Sequence, residues 1–452
     1  MNYPALLIKL LTQRKIGNKS RAYVLELQEK RLRGLLKYAF AKSPFYKEYY
    51  SDHGLTARQL ETVPLSALPP VDRKMFRENF NRIVTDKRIS SEGITAFMEK
   101  EALSDKNYLN RYHIVHSSGS SGKPTYYVYD EIAWMHLFTS HFQAHRHDIK
   151  PGELRYFLKN RVRMLYLAAT GGRFAGAVVA RYAGKNPFFR VKLLDVNTPL
   201  PEWALLLKNF NPNIISGYPS AIKILCTLVK KQNIPLDVRR IVTAGEPVSQ
   251  TTRQYIEDTL QCLLTNIYGA SESLVMGFEL PGTSCMQLRD DLNCFEIEKD
   301  CTYITPLYNY IQPLIRYRMS DILVKKETGN EMSVFTQVEK VLGREEEMMW
   351  FVNEEGNEDF LHPLIIDDLN IAGLLHYQFI QESRNQFIIR IVTEKQADPE
   401  FIEKRIRELM TPILAQKKLS NLVYEITRAD SVFISPRTGK SNLVIKEPAC
   451  CS

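Results

Sequence analysis

The stretch from His116 to Pro124, HSSGSSGKP, holds the densest set of residues able to do chemistry. Ser117, Ser118, Gly119, Ser120, Ser121, Gly122 and Lys123 combine hydroxyl donors, two glycines and one cation. Glycines let successive backbone N–H groups point into one concavity, and such a concavity binds anions. With serine hydroxyls as further donors and Lys123 as a point charge, a polyphosphate is the guest this composition suits. The pattern is not a Walker loop, which needs four residues between its glycines and Ser or Thr after the lysine. Here only Ser120 and Ser121 separate Gly119 from Gly122, and Pro124 follows Lys123. A ligand-free Ser/Gly hairpin loop is the alternative that the stretch by itself leaves open.

Histidines cluster close by: His113, His116, His136, His141, His145 and His147. His141 and His145 are four apart, so on a helix they share a face at metal-ligand spacing. Neither a nearby cysteine nor an HExxH glutamate completes a site, which favours polar or substrate-proximal histidines.

The elements that must position these residues can be read around them. Tyr112, Ile114 and Val115 before the loop, and Tyr126, Tyr127 and Val128 after it, predict two strands. Residues 20–50 carry helical spacing at Val24, Leu25, Leu32, Leu35, Leu36, Tyr38 and Ala39, broken at Pro44. Asp72 and Asp130 are candidate N-caps, the latter for a helix running to about His147. Strands then alternate with helices. Met164–Ala169, Asn213–Ser216, Arg240–Thr243 and Leu263–Ile267 each end in a glycine-containing turn: TGG, GYPS, AGEP and YGASE. Strand ends of this kind are where open α/β sheets bind ligands, so the four turns point to one cleft. From Leu292 the texture becomes β-rich. The last hundred residues read as a small α/β unit with a hairpin over 377–392, a helix over 399–415 and a strand over 422–427.

The chain of 452 residues is 44% hydrophobic and 25% charged, enough for a large core in more than one domain. Its net charge of +9 is spread rather than blocked, which suits small anionic ligands, and no nucleic-acid partner is expected. Seven cysteines show no CxxC pair, which predicts free thiols in a reducing cytoplasm. No apolar run has the length of a membrane span.

Six stretches in order resemble the motifs of the adenylate-forming enzymes: acyl- and aryl-CoA synthetases, adenylation domains and firefly-type luciferases. SSGSSGKP is similar to their phosphate loop, AGEP (244–247) to the segment lining the adenine and acyl pocket, and YGASES (268–273) to the aromatic-glycine-glutamate motif. RYRMSD (316–321), GR (343–344) and PRTGK (436–440) resemble the ribose aspartate, the hinge and the tail with its lysine. LLKYAFAKSPFYKEYY, LPPVDRK, SGYPS and PLIRYRMSD resemble the phenylacetate–CoA ligase and CapK-type branch in particular.

The resemblance implies an α/β (mixed α+β) fold. It has a large N-terminal domain of βα-layered sheets over 1–343 and a small mobile C-terminal α/β domain over 344–452. It implies that Ser117 to Lys123 hold the β- and γ-phosphates of ATP and that Glu272 binds Mg2+. Gly245, Glu246 and Pro247, with Tyr268, Gly269, Ala270 and Ser271, would line the nucleotide. Tyr268 would stack on adenine, Asp321 would bind ribose and Arg344 would reach ribose or phosphate. The acyl group would lie near Tyr218, Pro219, Ala244 and Gly245. Lys440 would stabilise charge during adenylation, after rotation about a hinge at Glu345 and Glu346. The implied function is activation of a carboxylic acid as its acyl adenylate, then transfer to a thiol, with CoA the first choice. The hinge here is Glu-Glu-Glu rather than aspartate, and the tail PRTGKSNLV is one residue shorter than the family's pattern. These departures give weight to a carrier-protein phosphopantetheine or an amine as acceptor. A non-catalytic nucleotide-binding homologue is the rival from another class.

Overall fold

The computed structural model describes residues 16, 19–101, 104, 106–117, 125–144, 151–246, 248, 250–279, 285–298, 301–319, 321–326, 334–342, 349–361, 371, 373–394, 396–430 and 444–446. The chain divides into two compact units. The first comprises residues 1–116, 126–159 and 265–343, and the second 117–125, 160–264 and 344–452.

In the first unit the 20–50 region forms two helices, Arg21–Lys42 and Pro44–Asp52, rather than one broken one. Ser43 joins them. Its N–H donates to Ala39 O to close the first helix, and its hydroxyl accepts from Tyr46 N to open the second. Pro44 takes the first helical position, where a missing N–H costs nothing. Val24, Leu32, Leu35, Leu36 and Ala39 are the buried face of the first helix. Tyr46 follows them inward, its hydroxyl bridging Pro313 O and Ile315 N at 3.1 Å each. The expected caps form: Asp72 accepts from Met75 N at 2.7 Å and Asp130 from Ala133 N at 2.8 Å. Strands His113–Ser117 and Thr125–Tyr129 pair as predicted, on either side of the glycine loop. Beyond Leu264–Tyr268 the strands run antiparallel in the order 264–268, 277–279, 286–288, 337–342, 322–325. A three-stranded antiparallel sheet, 293–297, 302–306 and 317–318, completes the β-rich part.

The second unit holds a parallel run of strands in the order 240–244, 214–217, 162–168, 189–195. Helices Ala175–Ala183, Leu200–Phe210 and Pro219–Gln232 follow its strands. Strand Phe189–Asp195 carries no apolar run that would announce it in the sequence. Its burial alternates instead of running apolar, as befits a strand at the end of the order. The terminal segment adds a hairpin (349–352 with 358–361) and a four-stranded sheet ordered 423–428, 386–393, 374–381, 444–446. Helix Pro399–Gln416 packs Ile402, Ile406, Met410 and Leu414 inward at helical spacing. Leu165, Trp203, Ile222 and Ile241 share one apolar core with Phe351, Phe360, Phe379 and Ile406. Among the described residues no helix is long and apolar enough to cross a membrane, and Cys226, Cys294 and Cys301 form no disulfide.

Candidate active site

Glu272 sits in the first unit at the bend after strand Leu264–Tyr268 and is 7% exposed. The bend is tight because Gly269 has no side chain: a Cβ there would lie 2.3 Å from Leu274 O. Ala270 N donates to Ser273 O, and Met276 N returns to Tyr268 O. The flanking serines are pinned as well. Ser271 donates through its hydroxyl to His116 O at 2.9 Å, and its own carbonyl accepts from Tyr129. Ser273 donates to Asn293 Oδ1 at 2.8 Å.

One oxygen of Glu272 carries the contacts. Tyr127, from the strand that follows the glycine loop, donates its phenol to Oε1 at 2.9 Å. Arg73, at the start of helix Arg73–Glu78, lies 3.6 Å from the same atom. Tyr317 stands 3.2 Å from the Tyr127 hydroxyl, and Phe76 stacks on Tyr127 while meeting Tyr317 edge-on. Burial pushes the Tyr127 phenol well above its ordinary value, and the Glu272 carboxylate adds to that; Tyr317 is pushed up to about 12 for the same two reasons. Burial pulls the Arg73 guanidinium down, but Glu272 and the two tyrosines outweigh it and leave it above its usual value.

The same strand, Leu264–Tyr268, delivers Tyr268, whose phenol donates to Asp321 Oδ2 at 3.1 Å. Burial first, then Asp321, raises that phenol well above its normal range. Asp321 is half-buried and is not drawn into an ion pair with Arg316, which instead meets Glu296 at 3.2 Å. The strand after the glycine loop is held by amides of the 309–312 turn. Asn309 donates to Val128 O, and Gln312 accepts from Val128 N while donating to Tyr126 O.

In the second unit the turns expected to face the acyl group come together. Gly217 has φ +149, and a Cβ on it would lie 1.8 Å from Leu167 O, so only glycine lets strand 214–217 close on strand 162–168. Tyr218 N donates to Leu167 O, and Pro219 opens the helix that follows. Gly245, at φ +89, lies against the Tyr218 ring, where a Cβ would stand 2.9 Å from Cε1. Glu246 Oε2 accepts from Ser220 N at 3.1 Å. Ala244 ends strand Arg240–Ala244, so Tyr218, Pro219, Ala244, Gly245 and Glu246 form one patch. Ser118 to Lys123, Pro247, Arg344, Glu345, Glu346 and Lys440 lie outside the described residues, as do the side chains of His141, His145 and His147.

Arg73, Tyr127, Tyr317, Asn309 and Gln312 escaped the sequence reading. Arg73 reads as a helix-start residue and Tyr127 as one of three apolar strand positions. The only signal was position: a phenol two residues past Thr125, on the strand leaving the anion loop. Among the described residues no group of three or more His, Cys, Asp and Glu could hold a metal. A single carboxylate with one oxygen held by the protein fits Mg2+, a hard cation usually bound through one or two carboxylates together with substrate phosphates.

No protein-family model matches the chain. It is 24% identical over 354 residues to a phenylacetate-coenzyme A ligase of Thermus thermophilus, covering 72% of this chain and 71% of that one. It is 24% identical over 350 residues to the phenylacetate-coenzyme A ligase of Pseudomonas putida, with 71% of each chain covered. Among solved structures it is similar to 2-hydroxyisobutyryl-CoA ligase in complex with 2-HIB-AMP and CoA in the thioesterification state. That match has a TM-score of 0.57 at 15% identity over 93% of this chain and 89% of that one. The postadenylation state of the same ligase gives a TM-score of 0.53 at 16% identity, with the same coverage. In sequence the chain is thus similar to the phenylacetate–CoA ligases, and its mixed α/β fold is that of the adenylate-forming ligases.

Proposed function

We propose that this protein is an ATP-dependent acid–thiol ligase, activating a carboxylic acid as its acyl adenylate and passing the acyl group to CoA. A carboxylate oxygen attacks the α-phosphorus of ATP, and the bond to the bridging oxygen breaks as pyrophosphate leaves. The CoA thiol then gives its proton to solvent, its sulfur attacks the acyl carbon, and AMP departs with the C–O electrons. The observation that carries the reading is the pinned Glu272 bend beside the Tyr268–Asp321 pair, in a chain with the fold of adenylate-forming ligases.

Ser117 to Lys123 are assigned the β- and γ-phosphates, Asp321 the ribose and Tyr268 the adenine. Glu272 is assigned the Mg2+, which offsets phosphate charge when bound. Tyr218, Pro219, Ala244 and Gly245 are assigned the acyl group, and the similarity to phenylacetate-coenzyme A ligases favours an aromatic acid. Lys440 is assigned to the developing charge at the α-phosphorus, with 344–452 turning about Glu345 and Glu346 between the two half-reactions.

The test is pyrophosphate release from ATP and Mg2+ across a panel of aryl and fatty acids, with hydroxylamine as trap. Acid-dependent release with AMP as co-product, abolished in Lys440→Ala, is the expected result. ATP binding without release, for any acid and equally in both proteins, would overturn the reading in favour of a nucleotide-binding module.

A further inference from the structure

The hydrogens around Glu272 can be followed one by one. A carboxylate only accepts, so the proton between Tyr127 and Glu272 Oε1 is that of the phenol. Tyr317 and Tyr127 hydroxyls stand 3.2 Å apart, and the single proton of Tyr127 is committed to Glu272 Oε1. The proton between the phenols therefore belongs to Tyr317. The chain runs one way: Tyr317 to Tyr127 to Glu272. Arg73 lies 3.6 Å from the same oxygen, Oε1. Tyr127 and Tyr317 are each 1% exposed, and Phe76 packs on both rings, so water cannot easily stand in for a lost member.

From this geometry we infer that Tyr127, backed by Tyr317, is a positioning residue: it fixes Oε1 of Glu272 and thereby presents Oε2 to the metal–nucleotide complex. The inference rests on Glu272 as the cation-binding residue proposed above. The two phenols come from separate elements, Thr125–Tyr129 and Tyr317–Arg318, while Phe76 and Arg73 share a third, Arg73–Glu78. A carboxylate that only needed neutralising would be served by Arg73 alone. A chain of fixed polarity ending on one oxygen also sets the direction in which the other points.

The experiment is Mn2+ binding, followed by the loss of free-ion electron paramagnetic resonance signal, to the full-length protein with α,β-methylene ATP. Wild type is compared with Tyr127→Phe, Tyr317→Phe and Glu272→Gln. Removing an outer partner of a metal-ligating group costs roughly tenfold or more in metal affinity. Tyr127→Phe is expected to weaken Mn2+ binding roughly tenfold and Tyr317→Phe by a smaller factor, about threefold, because Tyr127 still donates in that variant. Analogue binding in EDTA should stay unchanged in both, which a general loosening of the unit would not allow. Wild-type Mn2+ affinity in Tyr127→Phe, with Glu272→Gln weakened, would overturn the positioning role and leave Glu272 in place. Wild-type affinity in Glu272→Gln itself would remove the cation assignment on which the role depends.

Discussion

The carboxylate of Glu272 and the ammonium of Lys417 are both withdrawn from water, yet their partners leave them in different states. Lys417 Nζ lies 2.9 Å from Asp359 Oδ1, 3.3 Å from Val196 O and 3.4 Å from Thr198 O, and 4.4 Å from the centroid of the Phe360 ring. Its three N–H groups meet three oxygens. Asp359 in turn accepts from Phe360 N at 2.7 Å. Burial pulls Lys417 below its ordinary value and pushes Asp359 above its own, each opposed by the other. Around Glu272, by contrast, the guanidinium stands off at 3.6 Å and the contacts converge on one oxygen. A saturated cluster holds the fold together, whereas a cluster with acceptor capacity left over suits a ligand.

The largest effect expected from breaking this contrast is at Lys417. Removing one partner of a buried pair leaves the other charge stranded, which costs about 3–5 kcal/mol, whereas replacing both by apolar groups is often near neutral. Lys417→Ala should therefore shift the urea unfolding midpoint far down, and the double variant Lys417→Met, Asp359→Leu should recover most of the loss. A Lys417→Ala cost under about 1 kcal/mol would place the pair with ordinary surface bridges. The same lysine bears on the proposed turning of 344–452. Its Asp359 contact lies within that segment, but its Val196 and Thr198 contacts do not. Under ATP and acid, amide exchange should rise at 196–200 and stay low at 352–361. Unchanged exchange at both would argue that 344–452 keeps its seat on 160–264 through the cycle.

At Glu272 the balance should reverse. Glu272→Gln keeps an acceptor for Tyr127 and the side-chain volume, so its stability loss should be well below that of Lys417→Ala. Pyrophosphate release should nevertheless fall roughly 10²- to 10³-fold, the usual result of removing one preorganised electrostatic group. Measuring both variants in both assays tests the comparison directly. A Glu272→Gln protein that unfolds as readily as Lys417→Ala, with release per folded molecule unchanged, would make Glu272 a structural acid.

Which of these clusters the sequence could announce follows from how each is built. The Glu272 bend was legible because YGASES is contiguous and its glycine is forced by a 2.3 Å approach to Leu274 O. The Tyr218–Gly245 patch was legible for the same reason, each half ending a predicted strand in a glycine turn. Strands with apolar runs and helices at helical spacing came through to within a few residues, as for Pro399–Gln416 against an expected 399–415. Arg73, Tyr127 and Tyr317 were not legible, since their meeting joins residues 54 and 190 positions apart and each is an ordinary residue in its own element. Lys417 and Asp359 were missed because a lysine after a helix and an aspartate in a hairpin normally face water.

A third carboxylate, on the surface of the first unit, marks the small end of the scale. Asp86 accepts from Arg88 through its backbone N–H at 3.0 Å and its guanidinium at 2.6 Å, and from the Tyr112 phenol. The Arg88 hydrogen bonds hold its carboxyl well below the usual carboxylate range, with Tyr112 adding to the effect against a smaller opposing push from burial. A folded-state value lower than the unfolded one gives stabilisation that is present above about pH 4 and lost as pH falls through the folded value. Arg88 is 64% exposed, so solvent and salt should confine the contribution to under about 1 kcal/mol. Asp86→Asn should therefore lower the melting temperature slightly at pH 7, with the difference from wild type shrinking as pH falls below 4 and as salt rises to about 1 M. A difference constant across pH and salt would mean that the neutral hydrogen bonds carry it. Asp86 would then resemble the Lys417 node in geometry while lacking the burial that makes that node costly to break.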